Sequence, residues 1–164
     1  TQCELTENIF ENELVKKAIK LQVKKCQEYK NKAIEAHARK DYNYSSYNQR
    51  RNSYHRKIIE NIIEEEFIHQ FLQRYLILVQ NGSFDMHRFS IVQAIDSLEL
   101  IFNPVKYNLQ LSRHKYIDVI TGRGIHSENN NPRLKPAIIL YLKKNDLKFT
   151  EINIGCIRVD LKTK

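Results

Sequence analysis

Hydrophobic positions follow a helical rhythm over the first half of the chain. From Asn12 to Gln80 there is no proline and no glycine, and apolar residues recur at the i, i+3, i+4 spacing of one helix face. The clearest of these residues are Leu14, Val15, Ala18, Ile19, Ile58, Ile59, Ile62, Ile63, Phe67, Ile68, Phe71 and Leu72. The pattern predicts a long-helix region, broken near Lys40, with Asp41 suited to cap a second helix.

After the turn signal Asn81-Gly82, shorter apolar segments alternate between strand and helix patterns. "SFDMH", "KYIDVIT", "KFTEINI" and "CIRVDLK" are typical of strands, and Gly155 is the predicted turn of a hairpin between the last two. "SIVQAIDSLELIF", with Ser90 as its cap, and "PRLKPAIILYLKKN", with prolines in its first turns, are predicted helices. This βαβαββ order predicts an α+β fold, with helices packed on a mixed sheet over residues 81–164 and a helical extension over residues 1–80.

The middle of the helical region is rich in tyrosine. Tyr42, Tyr44, Tyr47 and Tyr54 lie among arginines and serines. Interleaved tyrosine and arginine side chains suit stacking on RNA bases. Amphipathic tyrosines also suit the interface of a two-helix hairpin, and we favour this packing role.

Composition indicates a soluble chain with a basic C-terminal third. Of the 164 residues, 41% are hydrophobic, and no apolar run approaches the roughly 18 residues of a membrane span, so we expect no membrane partner. Three cysteines without paired spacing favour a reducing, cytoplasmic setting, and no cluster has metal-ligand spacing. Of the net charge of +8, residues 106–164 carry 12 Lys and Arg against 5 Asp and Glu. Such a surface suits a nucleic acid, or serves solubility alone.

"FDMH" combines a predicted strand with acid–base side chains. On a strand, Asp85 and His87 share one face, while Phe84 and Met86 point to the other face and into the core. A carboxylate beside an imidazole fixes its tautomer and raises its basicity, as a general acid or base requires. In the alternative interpretation, Asp85 caps a local turn and His87 is an ordinary surface residue.

"ITGRGIHS" follows the second predicted strand. Gly122 and Gly124 allow a sharp turn whose amides face a phosphate, and Arg123 between them would direct its planar donor fork at the same group. His126 has two open roles, binding phosphate or tying the loop together. A Gly-x-Gly motif alone is weak evidence and gains force only together with "FDMH".

Four segments of the chain, in order, resemble the Smr (small MutS-related) domain. They are "FDMHR", "TGRGIHS", "LKPAI" and "NIGCIRVDL", and the similarity runs from about Ser83 to Lys162, with Arg88 where the family has glycine. Residues from roughly Tyr29 to Asn61 resemble the short helical domain that often precedes Smr in eukaryotic members. The chain begins with Thr1 rather than methionine, so we treat it as a possible part of a longer protein.

The resemblance implies a two-layer α/β sandwich similar to the C-terminal domain of translation initiation factor three. It also implies an endoribonuclease that acts on mRNA at stalled or collided ribosomes, as in no-go decay, and ubiquitin binding is possible through regions absent from this chain. We expect metal-independent catalysis, without a cofactor, by Asp85, His87 and Arg123. The residues expected to contact phosphate or RNA are Gly122, Gly124, His126, Ser127, Arg88, Arg133 and Lys135. The alternatives are a non-catalytic RNA- or ribosome-binding module and a DNA-nicking enzyme with a metal held by Asp85.

Overall fold

The computed structural model describes residues 12–102, 111, 113–122 and 133–161. Within these residues the chain forms four helices and four strands, which match the predicted order. The elements are α1 (Glu13–Ala38), α2 (Tyr42–Asn81), β1 (Ser83–Asp85), α3 (Ile91–Phe102), β2 (Tyr116–Ile120), α4 (Leu134–Lys144), β3 (Phe149–Asn153) and β4 (Cys156–Asp160). In this part of the chain, no helix combines the length and the apolar character that crossing a membrane requires.

The chain divides into two compact units, residues 1–69 and residues 70–164. The division falls inside α2, so the last three turns of this helix pack with the sheet that follows them. Phe71, Tyr75 and Leu78 are buried there, and the rings of Phe71 and Phe84 lie 5.7 Å apart. The predicted domain boundary between residues 80 and 81 stays a prediction, but an intact second unit needs its helix from Gln70 onward.

The first unit is the predicted hairpin of α1 and α2. Asp41 caps α2 by accepting a hydrogen bond from the backbone N–H of Tyr44 at 3.1 Å, and Lys40 turns the chain with φ of 64°. Ser45 donates to the Ala33 carbonyl at 2.9 Å across the hairpin. The break near Lys40 and the cap at Asp41 are therefore confirmed.

The four tyrosines of the hairpin do not fill its interface. Tyr42, Tyr44, Tyr47 and Tyr54 are 59%, 42%, 48% and 54% exposed. Most residues buried in the hairpin are small or polar, and the bond from Ser45 to the Ala33 carbonyl requires the two backbones to be close there. The buried residues are Ile19, Ala33, Ala36, Ser45, Asn48 and His55. The packing role favoured for the tyrosines is wrong, whereas stacking on RNA bases stays a prediction.

The second unit contains a mixed four-stranded sheet in the order β1-β2-β4-β3. β1 and β2 are parallel, with Asp85 opposite Ile120, and the remaining neighbours are antiparallel. Because β1 and β2 run in the same direction, both strands end at one edge of the sheet. This edge brings "FDMH" and the start of the glycine loop together.

The core lies between one face of the sheet and the helices. Alternate strand residues are fully buried on this face, and the helices add apolar side chains against them. The buried residues are Phe84, Met86, Ile117, Val119, Ile157 and Val159 from the strands and their ends, and Ala94, Leu98, Ile101, Ile138 and Leu142 from α3 and α4. The other face, with Tyr116, Asp118 and Arg158, is not covered by α3 or α4, and we call it the open face. This arrangement confirms the predicted α+β, two-layer fold.

A tight turn at Gly82 connects α2 to β1. Gly82 has φ of +71°, and its N–H donates to the Leu78 carbonyl at 2.8 Å to close the helix end. A Cβ atom at this position would lie 3.1 Å from Nδ1 of His114. His114 in turn bonds through Nε2 to the Val79 carbonyl at 2.9 Å. The turn at Gly82 and its contact with His114 therefore set the position at which β1 begins.

Candidate active site

The predicted acid–base residues lie at the end of β1. The strand stops at Asp85, and His87 belongs to the turn that follows, so the prediction that His87 lies on the strand is wrong. The strand-like alternation nevertheless continues, because the N–H of Met86 donates to the Ile120 carbonyl at 2.8 Å. Phe84 and Met86 are fully buried, while Asp85 and His87 are partly exposed, as the alternation predicts.

Asp85 holds His87 through both of its carboxylate oxygens. Oδ1 accepts from the backbone N–H of His87 at 2.9 Å, and Oδ2 lies 2.6 Å from Nδ1 of the ring. A carboxylate only accepts hydrogen bonds, so Nδ1 carries a proton, and in the neutral ring Nε2 then has the lone pair. The side chains of His87 and Asp85 are 48% and 39% exposed, so a substrate can reach them. Asp85 therefore caps the local turn and orients the imidazole of His87 at the same time.

Arg74 fixes the backbone that carries this pair. Its Nη1 group donates to the carbonyl oxygens of Asp85 at 2.9 Å and of His87 at 3.2 Å. Its guanidinium lies 4.1 Å from the ring centroid of Phe89. Arg74 is not among the residues predicted from the sequence. The available signal was a cation on the apolar stripe of α2, at i+3 from Phe71.

Gly122 brings the start of the glycine loop to the same place. It has φ of +77°, and a Cβ atom there would lie 3.6 Å from Cβ of His87. The space would admit a methyl group, but the left-handed backbone disfavours any residue except glycine. The first glycine of "TGRGIHS" is therefore a neighbour of His87 at the sheet edge.

Arg88, which replaces the family glycine, has a left-handed backbone. Its φ of 67° explains why glycine suits this position, because only glycine adopts this conformation without a steric cost. Arg88 adopts this conformation despite its steric cost, and the turn that carries His87 forms. The departure from the Smr pattern therefore leaves the turn in place.

The backbone conformation of Arg88 gives a stability prediction. Arg88→Gly should have a free energy of unfolding about 1 kcal/mol higher than Arg88→Ala, because alanine keeps the left-handed strain that glycine relieves. Both variants lose the arginine side chain and its contacts, so their difference isolates the backbone. Urea unfolding followed by circular dichroism measures it, and equal stabilities would show that position 88 is unstrained.

Six predicted residues remain to be placed. Arg123, Gly124, His126 and Ser127 lie outside the described residues. Lys135 is in the first turn of α4, where its ammonium contacts the Glu151 carboxylate and the Asn153 carbonyl, each at 2.8 Å, and its side chain is only 12% exposed. In this geometry Lys135 ties α4 to β3, and a phosphate contact by Lys135 stays a prediction.

The remaining predicted contact residue, Arg133, directly precedes α4. Among residues 12–102, 111, 113–122 and 133–161, no group of three or more His, Cys, Asp or Glu side chains is placed to hold a metal ion. The site that the described residues form is thus an oriented Asp–His pair, with Arg74 behind its backbone and Gly122 beside it.

Comparison with known proteins relates this chain to Smr domains. NEDD4-binding protein 2 of Homo sapiens is 35% identical over 86 residues, which are 52% of this chain and 5% of that protein. The solution structure of the B3BP Smr domain is 31% identical, covers 58% of this chain and 92% of its own, and has a TM-score of 0.44. The SMR domain of NEDD4-binding protein 2 is 32% identical over 51% of this chain and 88% of its own, with a TM-score of 0.40. No family model matches the chain. The sequence identities support an Smr domain here.

Proposed function

We propose that the Smr domain of this chain is an RNA endonuclease that cuts mRNA on stalled or collided ribosomes by metal-independent acid–base catalysis. Similarity to Smr domains supports a nuclease or nucleic-acid-binding function. The observation that carries the catalytic proposal is the 2.6 Å contact between Asp85 and the ring of His87 at an exposed strand end. Both side chains of the pair are exposed enough for a substrate to reach them.

In the proposed reaction, Nε2 of His87 takes the proton from a ribose 2′-hydroxyl. The 2′-oxygen attacks the adjacent phosphorus, and the bond from phosphorus to the 5′-oxygen breaks. The leaving 5′-oxygen takes up a proton from water, and the His87 imidazolium returns its proton to water, so the products are a 2′,3′-cyclic phosphate and a 5′-hydroxyl. Asp85 holds the tautomer and stabilises the imidazolium that forms, as the carboxylate does in other catalytic acid–base pairs.

Negative charge develops on the non-bridging oxygens of the phosphate, and hydrogen-bond donors must lie close to these oxygens to stabilise it. We assign this role to Arg123 and to the amides of Gly122 and Gly124, because the loop starts beside His87. His126, Ser127, Arg88, Arg133 and Lys135 are proposed to contact the RNA backbone. Such contacts add affinity that depends on salt and is independent of sequence. Selectivity for one mRNA must therefore come from recruitment, which we assign to the ribosome.

Cleavage of end-labelled RNA tests the proposal, with naked RNA compared to the same RNA on stalled ribosomes. We expect slow, sequence-tolerant cleavage of naked RNA, faster cleavage on ribosomes, no loss of activity in EDTA, and cyclic phosphate ends. RNA with a 2′-deoxy nucleotide at the cut site should resist cleavage. Binding without any cleavage would favour the non-catalytic module, whereas EDTA-sensitive nicking of DNA would favour the metal-dependent alternative.

A further inference from the structure

A polar pocket lies on the second unit, at the end of the sheet opposite the Asp85–His87 pair. Its volume is about 350 Å³, and the starts of β1 and β2 form its walls. The lining residues that matter here are Asn81, Arg113, Lys115, Tyr116, Asp118 and Arg158. Tyr116, Asp118 and Arg158 point to the open face, because Ile117, Val119, Ile157 and Val159 between them are buried. The pocket is therefore an outer surface of the sheet and not a defect of the core.

Arg158 is held as a flat cation at this surface. Its Nε and Nη2 groups donate to the two carboxylate oxygens of Asp118 at 2.8 and 2.9 Å. Its guanidinium lies 3.8 Å from the ring centroid of Tyr116. The hydrogen bonds to Asp118 raise the pKa of Arg158, which is charged at every physiological pH. Two bonds and one stacking contact thus fix the plane of the guanidinium before any ligand arrives.

The two side chains of this stack are partly exposed. The side chain of Arg158 is 34% exposed, and Tyr116 is 43% exposed. Nucleobases stack on arginine planes and on aromatic rings in proteins that bind single-stranded nucleic acid. Such stacking tolerates any sequence, because every base has a π-face.

The rim of the pocket has a positive charge. Arg113 and Lys115 are exposed, and among the lining residues they and Arg158 outnumber the carboxylate of Asp118, while the exposed Asp160 lies opposite Tyr116 on β4. The amide of Asn81, the last residue of α2, adds a polar group to the pocket. A stacked base would place its flanking phosphates near these cations, so the charge fits a nucleotide better than a neutral ligand.

The open face also connects the pocket to the acid–base pair. Asp85 lies opposite Ile120 and Ser83 opposite Asp118, with both β1 side chains turned away from the buried Phe84. Tyr116 and Ile120 are four residues apart on β2, which is about 13 Å along a strand. A single RNA strand can therefore lie across one face, with a base at the pocket and a phosphate a few nucleotides away at His87.

We propose that Tyr116 and Arg158 form a base-stacking subsite for the RNA strand that is cut at the Asp85–His87 pair. The inference rests on the proposed RNA substrate. Lys115 and Arg113 bind the phosphates that flank the stacked base, and Asp118 positions Arg158 without touching the RNA. The subsite gives affinity for single strands and no preference for a particular base.

Binding of fluorescein-labelled dodecauridylate to the full chain tests the subsite, measured by fluorescence anisotropy in a His87→Ala background. Tyr116→Leu should raise Kd about tenfold, a typical loss for one stacked base. Tyr116→Phe keeps the ring and should restore binding. Arg158→Lys keeps the charge but loses the flat plane, so it should also weaken binding. Diuridylate is too short to reach from His87 to the pocket, so the rate at which a chain with an intact His87 cuts it should not change in any of these variants.

Lys115→Ala and Lys144→Ala form a matched pair of charge controls. Each variant removes one exposed lysine. Lys144 is the last residue of α4, so it belongs to the helix layer and not to the open face. Lys115→Ala should reduce the salt dependence of dodecauridylate binding, by roughly the contribution of one phosphate contact. Lys144→Ala should leave it unchanged. Equal effects of the two variants would mean that only net charge attracts the RNA.

These experiments can refute the subsite without refuting the nuclease activity, and the nuclease activity without refuting the subsite. If the wild-type chain does not cut RNA but Tyr116→Leu weakens binding, the proposed function is wrong and the subsite stands. If RNA is cut but folded Tyr116→Leu binds dodecauridylate like wild type, the subsite is wrong. Photocrosslinking with 5-iodouridine decides the case in which Tyr116→Leu does not fold. A crosslink at Tyr116 of the otherwise unaltered chain supports the subsite, and crosslinks only elsewhere overturn it.

Discussion

Replacement of His87 by alanine is expected to lower kcat for RNA cleavage by about 10²- to 10⁴-fold, the usual contribution of a positioned general acid or base. The imidazole is half-exposed and packs into no core, so the fold should persist. RNA binding should change little, because the phosphate contacts lie elsewhere in the proposed site. Single-turnover cleavage and filter binding measure the two quantities separately.

Asp85→Asn should lower kcat by a similar factor, because it changes the tautomer of His87. An asparagine amide that faces Nδ1 with its NH₂ group donates to that nitrogen and moves the ring proton to Nε2, where no lone pair then remains. The double variant should lose hardly more activity than either single variant, because the two residues act as a unit.

Asp96→Asn is the matched control for this carboxylate. It removes the same charge from an exposed position of α3, away from the pair, and should leave cleavage unchanged. Cleavage that persists in both His87→Ala and Asp85→Asn would refute the catalytic role of the pair. Loss of the circular dichroism spectrum in either variant would instead show that the pair supports the fold.

Much of the second unit could be predicted, because strand alternation and helix capping indicate the same structure there. Alternation in "FDMH" predicts that Phe84 and Met86 are buried, and they are, since one face of a strand must meet the core. Ser90 caps α3 by accepting from the N–H of Gln93, while the Gln93 side chain returns a bond to the N–H of Ser90. The capping residues are close in sequence, so their pattern can be recognised without the structure.

The features that sequence analysis missed depend on contacts between distant residues. Arg74 reaches carbonyl groups 11 and 13 residues away, and neither its charge nor its spacing specifies that contact. Lys135 pairs with Glu151 across the unit, which a count of basic residues does not reveal. The hairpin tyrosines were misassigned because their type suits an interface, whereas the closeness of the two backbones decides which side chains fit between them.

The boundary of the second unit has a practical consequence. Glycine and proline signals place it after Gln80, one residue before α2 ends, but the continuity of the helix does not reveal where its packing changes. Removing residues 1–80 would delete the buried Phe71, Tyr75 and Leu78, together with Arg74. A truncation that is meant to separate the hairpin from the sheet must therefore keep the chain from Gln70 onward.

Arg74→Met should lower kcat for RNA cleavage by about 10- to 100-fold while KM stays nearly constant. Methionine retains an apolar stem against Phe89 but cannot donate to the carbonyl groups of Asp85 and His87. Without these two bonds the turn is free to shift, and a misplacement of about 1 Å in a catalytic group costs up to 10²-fold in rate. Arg74 would then be a positioning residue, since it acts on the reacting pair through hydrogen bonds to the carbonyl groups of Asp85 and His87.

Two observations separate positioning by Arg74 from a role in stability alone. Arg74→Lys, which keeps one donor group of the same charge, should recover part of the lost kcat, and the pH profile of Arg74→Met should differ from that of wild type because His87 is less firmly oriented. Both rates are measured well below the unfolding midpoint of each variant, with circular dichroism as the check. If Arg74→Met keeps the wild-type kcat and pH profile and lowers only the unfolding midpoint, Arg74 stabilises the turn without setting the geometry for catalysis.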